Sequence, residues 1–413
     1  MKKTALILAA GIAWCAWALP QATIQTVTQT SARSLGVTYT LTEDAIVTVD
    51  FLTNGVSMGG MNQSRLAGDV NRALRPGTHW FGWTATVPVE AADVSVQLTA
   101  HALDNPPDYM VVDLIATNTV RYYVSQAALP FGGITNPIYR TDKLLMRKVP
   151  ARNSTFLMGN DPKDAAWQNG EQRREVSFTN DWYIGVWEVT KRQMLLISGK
   201  VVNYSMTNGL DAAATTEMYP AQSDTWNHLR VNYTNQTTAS AIDWPTTGHQ
   251  VGPDSAIGML RALTGVQFDL PTEAQWEFAC RAGTTTGLNH GKEIEKTSSG
   301  GISYALNEVS WNGKNSGGKV HETGLKLPNA WGLYDMHGNV FEHCLDWWTQ
   351  DASAYGGVDP VGPSSGTARV RRGGHFNNDV TWYHSGYRNS LGPTDSAAYY
   401  GFRLWCPLPG GVD

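Results

Sequence analysis

Residues 328–342 read PNAWGLYDMHGNVFE, and this segment gives the clearest indication of the fold. Two carboxylates, Asp335 and Glu342, flank Gly338, where a glycine allows the chain to turn sharply. Calcium in proteins is bound by about six to eight oxygens from carboxylates, main-chain carbonyls and water. The segment therefore predicts a ligand-binding loop, with calcium as the candidate ligand.

Upstream of this loop, residues 270–281 read LPTEAQWEFACR and carry the signals of a helix start. Thr272 is a favourable N-cap, and Gln275 three positions later completes a capping box. We predict a helix over 272–281. A similar pattern predicts another helix over 188–198.

The helix at 272–281 combines an apolar face with acidic side chains. Trp276, Ala279 and Cys280 follow the i, i+3, i+4 spacing of one face, which we expect to be buried. Glu273 and Glu277 lie four positions apart, so they are close on the helix surface. Two interpretations stay open, solvated charges or a buried network with arginines.

Further motifs extend the pattern in both directions along the chain. In order they are Phe156-Leu157-Met158-Gly159, Glu188-Val189-Thr190, the two segments above, Arg369-Val370-Arg371-Arg372-Gly373-Gly374 and Gly401-Phe402-Arg403. This ordered set resembles the sulfatase-modifying-factor family, which includes the formylglycine-generating enzymes. The resemblance covers residues 150–405 and implies an irregular α+β domain related to C-type lectins.

The resemblance assigns roles to the residues of the predicted loop. Family residues that match Asp335, Gly338, Val340 and Glu342 bind calcium, the middle two through their main-chain carbonyls. A second family calcium site would involve Asn307, although the residues around it differ from the family pattern.

The family's oxidative chemistry depends on two cysteines that follow the Arg-Gly-Gly motif and bind copper. In this chain those positions hold Asn378 and Tyr383, and the usual serine of the motif is His375. Copper(I) prefers soft thiolate ligands, which an amide and a phenol do not replace. We therefore expect neither copper nor formylglycine-generating activity, and we assign no catalytic residue.

The segment 375–400 is rich in polar aromatic and amide side chains. Such mixtures resemble selected binding surfaces and also suit sugars, and variable proteins of diversity-generating retroelements are diversified in the corresponding segment of the same fold. We expect an exposed ligand-binding cleft, in which Trp382 alone is partly buried. Its candidate residues are His375, Asn377, Asn378, Asp379, Trp382, Tyr383, His384, Tyr387, Tyr399 and Tyr400.

The N-terminal region, 21–145, alternates between polar and apolar residues in short runs. Residues 37–41 and 45–51 are examples, and Asn-Gly, Pro-Gly and Pro-Pro turns separate such runs. This pattern predicts an antiparallel β-sandwich of the immunoglobulin or fibronectin type. The region could serve as a spacer or binding module, or it could be purely structural.

The first 18 residues read as an export signal. Lys2 and Lys3 precede an apolar run over 4–14, and Ala16-Trp17-Ala18 offers a small-x-small cleavage site. After its removal no segment is expected to span a membrane. We expect a periplasmic, cell-surface or secreted protein.

Composition and cysteine count limit the functional classes. The net charge is −5 and the basic residues are scattered, so a nucleic-acid partner is not expected. Cys280, Cys344 and Cys406 remain after the signal, and an odd number leaves at least one thiol outside an intramolecular disulfide.

Together these observations predict an all-β sandwich followed by an irregular α+β domain. The favoured function is recognition of a surface protein or a glycan, without catalysis. The alternatives are an enzyme with altered chemistry in the same cleft and a structural cell-surface protein.

Overall fold

A computed structural model describes residues 19–116, 120–161, 170–199, 217–235, 242–245, 247–295 and 303–410. The predicted export signal at 1–18 lies outside these residues. Within them, no helix combines the length and the apolar composition needed to cross a membrane.

The N-terminal region folds into two antiparallel sheets. One has the strand order β1-β2-β7-β5, and the other has the order β4-β3-β6, with β8 paired to β3. The strands are β1 (Ala22–Ser31), β2 (Ser34–Leu41), β3 (Ala45–Thr53), β4 (Val56–Ser57), β5 (Leu66–Gly68), β6 (Arg72–Leu74), β7 (Gly77–Thr84) and β8 (Val94–Ala102).

The two N-terminal sheets share one apolar core. Val37, Phe81 and Trp83 come from the first sheet, and Val49 and Phe51 from the second. The rings of Phe51 and Trp83 stack with centroids 4.0 Å apart. The alternation seen in the sequence therefore places one face of each sheet in this core.

The remaining strands belong to the C-terminal region and its approach. They are β9 (Tyr109–Asp113), β10 (Val120–Tyr123), β11 (Lys143–Val149), β12 (Thr155–Met158), β13 (Arg174–Ser177), β14 (Trp182–Gly185), β15 (Ser310–Trp311), β16 (His337–Gly338), β17 (Phe341–Trp347), β18 (Gly357–Val358), β19 (Arg369–Arg372), β20 (Asn389–Leu391), β21 (Tyr400–Gly401) and β22 (Trp405–Pro407). Their larger sheets have the orders β10-β9-β11-β14-β22, β20-β19-β17-β21 and β12-β13-β18.

The pairing of β9 and β10 differs from the sequence-based expectation. We expected residues 110–115 to pair within the N-terminal unit, but β9 pairs with β11, which continues to β14 and β22. The reason lies in burial, since Tyr109, Met110, Val111 and Val112 are all buried. A strand covered on both faces belongs in the interior of a sheet with packed layers on each side.

Short helices complete the C-terminal region. They are α1 (Lys191–Ser198), α2 (Trp226–Arg230), α3 (Ala256–Thr264), α4 (Glu273–Arg281) and α5 (Tyr304–Val309). Both predicted helices are confirmed, and both begin with a complete capping box, from Thr190 and Gln193 in α1 and from Thr272 and Gln275 in α4.

The apolar face of α4 is buried, as its spacing predicted. Trp276, Ala279 and Cys280 pack in a cluster with Met336 and Cys344.

The thiols of Cys280, Cys344 and Cys406 are all buried and free, so none of these cysteines forms a disulfide.

Candidate functional site

The acidic residues of α4 lie in a buried network with arginines. Arg388 donates two hydrogen bonds to Glu273, of 2.6 and 2.7 Å, and Arg372 bonds to both Glu273 and Glu277. Arg281 donates to Glu277 at 2.8 Å. Burial alone would raise the pKa of Glu277, but Arg281 and Arg372 lower it to about 2. Of the two interpretations left open above, the buried network is therefore the observed one.

This network fixes the Arg-Gly-Gly segment against α4. Arg372 is the last residue of β19, and it also donates to the carbonyls of Ser385 and Gly386. The guanidinium thus joins the helix to the segment that we expected to form the ligand-binding cleft.

The loop from Asp335 to Glu342 has a tightly constrained backbone. Asp335, Gly338 and Asn339 all have positive φ, of 55°, 84° and 58°. A Cβ at position 338 would lie 2.2 Å from the carbonyl oxygen of Trp311. Only glycine is accommodated there, because the backbone of β15 runs alongside.

Glu342 forms an ion pair with Arg403. Arg403 donates to both of its carboxylate oxygens at 2.6 Å, and the Trp276 indole donates a third bond of 2.6 Å. This bidentate pair joins the two family motifs that contain Glu342 and Arg403.

Asp335 is buried with one oxygen unsatisfied. Its Oδ2 accepts a 2.6 Å bond from the Gly324 amide, whereas its Oδ1 has no hydrogen-bond partner. Burial, together with Glu342, raises the pKa of Asp335 to about 6. A buried acceptor without a partner costs free energy, so this oxygen would gain from a bound donor or cation.

A third carboxylate, Glu188, faces the same loop. It accepts bonds from the Asn339 side chain at 2.7 Å and from the Val340 amide at 3.2 Å. Burial and the nearby Asp335 and Glu342 raise the pKa of Glu188 well above its ordinary value. Sequence reasoning used Glu188 only as part of a family motif and did not place it at this loop.

The charges and donors of this loop suit a hard cation. Glu188, Asp335 and Glu342 are three buried carboxylates near the Arg403 guanidinium. The charges of Arg140 and Lys326 also interact with Asp335. Among the residues that the structure describes, no three His, Cys, Asp or Glu side chains form a metal site by themselves. Calcium would therefore need main-chain oxygens as well, which is the kind of donor set it accepts.

Asn307 lies in different surroundings. Its side-chain oxygen already accepts bonds from the amides of Asn312 and Asn315, at 2.9 and 3.0 Å. Its main-chain carbonyl accepts a 2.8 Å bond from the Lys326 ammonium. The Lys326 ammonium thus already binds this residue, and its positive charge disfavours a calcium ion there.

The segment 375–400 is folded into the domain to a greater extent than we expected. The expectation of an exposed surface is wrong for six of its candidate residues, which are buried: His375, Asn378, Tyr383, His384, Tyr387 and Tyr400. We expected burial to leave phenols and amides unsatisfied, but the segment itself and distant parts of the chain supply partners for them.

Tyr383 and Asn378 show how these partners are arranged. The single proton of the Tyr383 phenol is shared between the carbonyls of His375 at 2.6 Å and Asn378 at 3.0 Å, and the phenol oxygen accepts from the Gly313 amide. The Asn378 side chain bonds to the ring and the amide of His375. The two positions where the family has cysteines therefore belong to a closed hydrogen-bond network.

Other members of the segment are satisfied in the same way. The Asn389 side chain donates to the Tyr387 hydroxyl at 2.7 Å, and the Nδ1 of the His384 ring forms a hydrogen bond with the Asn160 side chain. Trp382 is half-buried, as predicted, and stacks on Tyr387.

Only part of the predicted cleft can reach a ligand. Asn377 and Asp379 are exposed, and Tyr399 is half-buried with its ring stacked 4.3 Å from that of His375. With Trp382, these residues form the accessible part of the predicted cleft.

Two cavities lie elsewhere on the C-terminal region. The larger, of about 740 Å³, is lined by Phe156, Phe278 and Trp331 among others. The smaller, of about 290 Å³, has Trp244 and Trp405 among its walls. Sequence reasoning did not find either, because their walls come from distant segments, and the high tryptophan count was the only signal.

Comparisons with known proteins place these features in context. The family described as "Sulfatase-modifying factor enzyme 1-like domain" matches residues 146–406. The formylglycine-generating enzyme of Mus musculus is 29% identical over 292 residues, which cover 63% of this chain and 74% of that enzyme. The enzyme of the same name from Thermomonospora curvata is 37% identical over 153 residues, or 32% of this chain and 48% of that enzyme.

Two solved structures share part of their fold with this chain. Treponema denticola variable protein 1 has a TM-score of 0.48 and 27% identity, covering 64% of this chain and 95% of its own. PvdO from Pseudomonas aeruginosa has a TM-score of 0.48 and 21% identity, with 64% and 94% covered.

Proposed function

Because this chain belongs to the family of the sulfatase-modifying factor enzyme 1-like domain, we propose that it keeps the family fold without the formylglycine-generating chemistry. One observation carries the proposal. The cysteine positions hold Asn378 and Tyr383, and the Tyr383 phenol is committed to two main-chain carbonyls. No thiolate is therefore available at these two positions to bind copper.

The proposed role is recognition by an exported protein. We propose a layout with an immunoglobulin-like or fibronectin-like sandwich before the C-terminal domain. Support for export comes from the N-terminal sequence, with Lys2 and Lys3 before an apolar run. A surface protein or a glycan is the proposed partner.

The accessible part of the cleft is the proposed contact surface in the C-terminal domain. It comprises Asn377, Asp379, Trp382 and Tyr399. Half-buried aromatic rings offer contact area at low cost in conformational entropy, and the amide and carboxylate add directional hydrogen bonds. If related copies are diversified, we expect the variation at these positions rather than at the buried ones.

We also propose that the loop at 335–342 holds calcium. The ligands would be the carboxylate of Asp335, whose Oδ1 has no hydrogen-bond partner, and the main-chain carbonyls of Gly338 and Val340. Glu342, the fourth ligand that the resemblance implies, would have to share its oxygens with Arg403 and Trp276, and Glu188 lies close by. Calcium would supply positive charge to a buried acidic cluster and no redox chemistry. The proposed site omits Asn307, whose oxygens are already occupied.

Mass spectrometry of a cysteine-containing sulfatase-type peptide tests the absence of formylglycine chemistry. We expect no conversion to the aldehyde when the peptide is incubated with this protein, copper and oxygen. An active formylglycine-generating enzyme serves as the positive control in the same buffer. Aldehyde formation by this protein above the level without protein would overturn the proposal.

A further inference from the structure

The outer face of the first N-terminal sheet has an unusual composition. Directly opposed residues share a face of an antiparallel pair. Thr38 of β2 lies opposite Trp80 of β7, and Thr40 lies opposite Thr78. On the other side of β2, Thr26 of β1 lies opposite Thr38. This face therefore carries rows of threonines around a single tryptophan.

Trp80 lies flat on a floor of glycines. A Cβ at Gly82 would come within 3.0 Å of the far edge of its six-membered ring. A Cβ at Gly36 would lie 3.3 Å from the indole nitrogen, and one at Gly68 would lie 3.2 Å from another ring carbon. A side chain at any of these three glycines would crowd a different edge of the indole, so their lack of one lets a ring face lie against the sheet.

The opposite face of the Trp80 ring is open to solvent. The residue is 51% exposed, whereas Phe81 and Trp83 on the inner face of the same strand are buried. An exposed tryptophan held parallel to a sheet presents its π-face without the loss of rotamer freedom that a mobile side chain would suffer on binding.

The charge and shape of this face restrict what it can bind. The positions described above carry hydroxyl groups, glycines and one indole, and no charged side chain. Threonine hydroxyls both donate and accept hydrogen bonds. Small-molecule sites are concave, whereas this face is a sheet surface, so an extended ligand is favoured over a small one.

We propose that this face binds a neutral polysaccharide, with one sugar ring stacked on Trp80 and its hydroxyls bonded to the threonines. The C–H face of a pyranose is apolar and matches the indole, and its rim of hydroxyls matches the rows of Thr38, Thr40 and Thr78. The site gives a ligand class to the recognition role proposed above, and it lies apart from the C-terminal cleft.

Binding of the full-length protein to defined polysaccharides tests this site. The probes are insoluble cellulose, insoluble chitin and a soluble neutral β-glucan, with alginate as the anionic comparison. We expect binding to at least one neutral polymer and none to alginate. Binding to alginate alone, or to none of the four, would overturn the proposal.

Two variants assign the binding to the indole and its orientation. Trp80→Ala should weaken binding at least about tenfold, which corresponds to the stacking contribution of one ring. Gly82→Val keeps the tryptophan but lifts it from the floor, and should cause a similar loss. The control Tyr304→Ala removes an aromatic side chain of the C-terminal region that is 74% exposed. It should leave the affinity for the polysaccharide unchanged.

Stability, affinity and oligomeric state distinguish binding at Trp80 from misfolding, from binding at the C-terminal cleft and from dimerisation. Circular dichroism and the melting temperature should stay at the wild-type level in Trp80→Ala, since the side chain is exposed. Unchanged affinity in that variant would remove the site while leaving the proposed recognition by the C-terminal cleft in place. Dimerisation in light scattering that depends on Trp80 would overturn the proposal in favour of a contact between two copies of the chain.

Discussion

Tyr383 stabilises the fold at a position where the family resemblance implies a cysteine. Its ring packs against Gly374, where a Cβ would lie 2.8 Å from the ring and where φ is 77°. Its hydroxyl joins His375, Asn378 and Gly313. The phenol thus stabilises the loop that carries His375 and Asn378.

The variant Tyr383→Phe measures this contribution. Removing the hydroxyl removes its hydrogen bonds, whereas the His375 and Asn378 carbonyls keep bonds from the amides of Asn378 and Gly313. We therefore expect a loss of about 1 kcal/mol in the free energy of unfolding, the net value of a typical hydrogen bond. The control Tyr304→Phe, at an exposed residue, should stay within about 0.5 kcal/mol. Urea denaturation gives both values, and equal small changes would mean that the Tyr383 phenol is solvated.

Residue types alone did not reveal which polar aromatics are buried. Tyr, Asn and His favour exposed binding loops on average, and the segment 375–400 is rich in them. Burial is decided by partners such as the Gly313 amide and the Glu171 carboxylate, which come from distant parts of the chain. Trp382 was predicted as partly buried and is, because a large indole in a polar loop usually anchors it, and Asn377 and Asp379 are exposed as expected.

At the scale of an element, α4 organises the centre of the C-terminal region. One face packs Trp276, Ala279 and Cys280 into the core, while Glu273 and Glu277 meet Arg372 and other arginines. The helix itself was predictable, since its capping box is local in sequence. The arginine partners were not, because Arg372 lies 95 positions from Glu277.

The network makes stability depend on pH. The folded pKa of Glu277, about 2, lies below its ordinary value of 4.5. Its contribution is therefore present above pH 4.5 and is lost as the pH falls from 4.5 toward 2. We expect the free energy of unfolding of Glu277→Gln to be roughly 3 kcal/mol lower than that of the wild type at neutral pH. In acid the two free energies should become similar.

Chemical denaturation at several pH values between 2.5 and 7 checks this expectation. Glu175→Gln is the matched control, because Glu175 is exposed. A difference between wild type and Glu277→Gln that stays constant over this range would contradict the assigned ion pairs.

At the scale of the whole molecule, the calcium proposal predicts a change in thermal stability. A ligand that binds only the folded state stabilises it by mass action. The gain is about 2.7 kcal/mol when the free ligand concentration is a hundred times the dissociation constant. A chelator should therefore lower the melting temperature of the wild type. Asp335→Asn keeps the size of the side chain and should remove the response.

Differential scanning calorimetry at matched ionic strength provides the measurement. Asp44→Asn, at an exposed turn, should respond to the chelator as the wild type does. The proposal fails if excess chelator leaves the wild-type melting curve unchanged.

The division of the chain was partly predictable. The family region expected at 150–405 agrees with the matched residues 146–406, because its motifs are distinctive and ordered. The pairing of β9 and β10 was not predictable, since an apolar run such as 109–112 fits a sandwich strand or a central strand equally well.

The pairing of β22 with β14 has a consequence for synthesis of the protein. Arg403, just before β22, bonds to the carbonyl of Gly185 in β14, although 218 positions separate them. The two N-terminal sheets involve only residues 22–102 and can close early on the ribosome. The C-terminal sheet must wait for residues 405–407, so the edge of β14 stays unpaired and open to chaperones or to misassembly while residues 186–404 are being made.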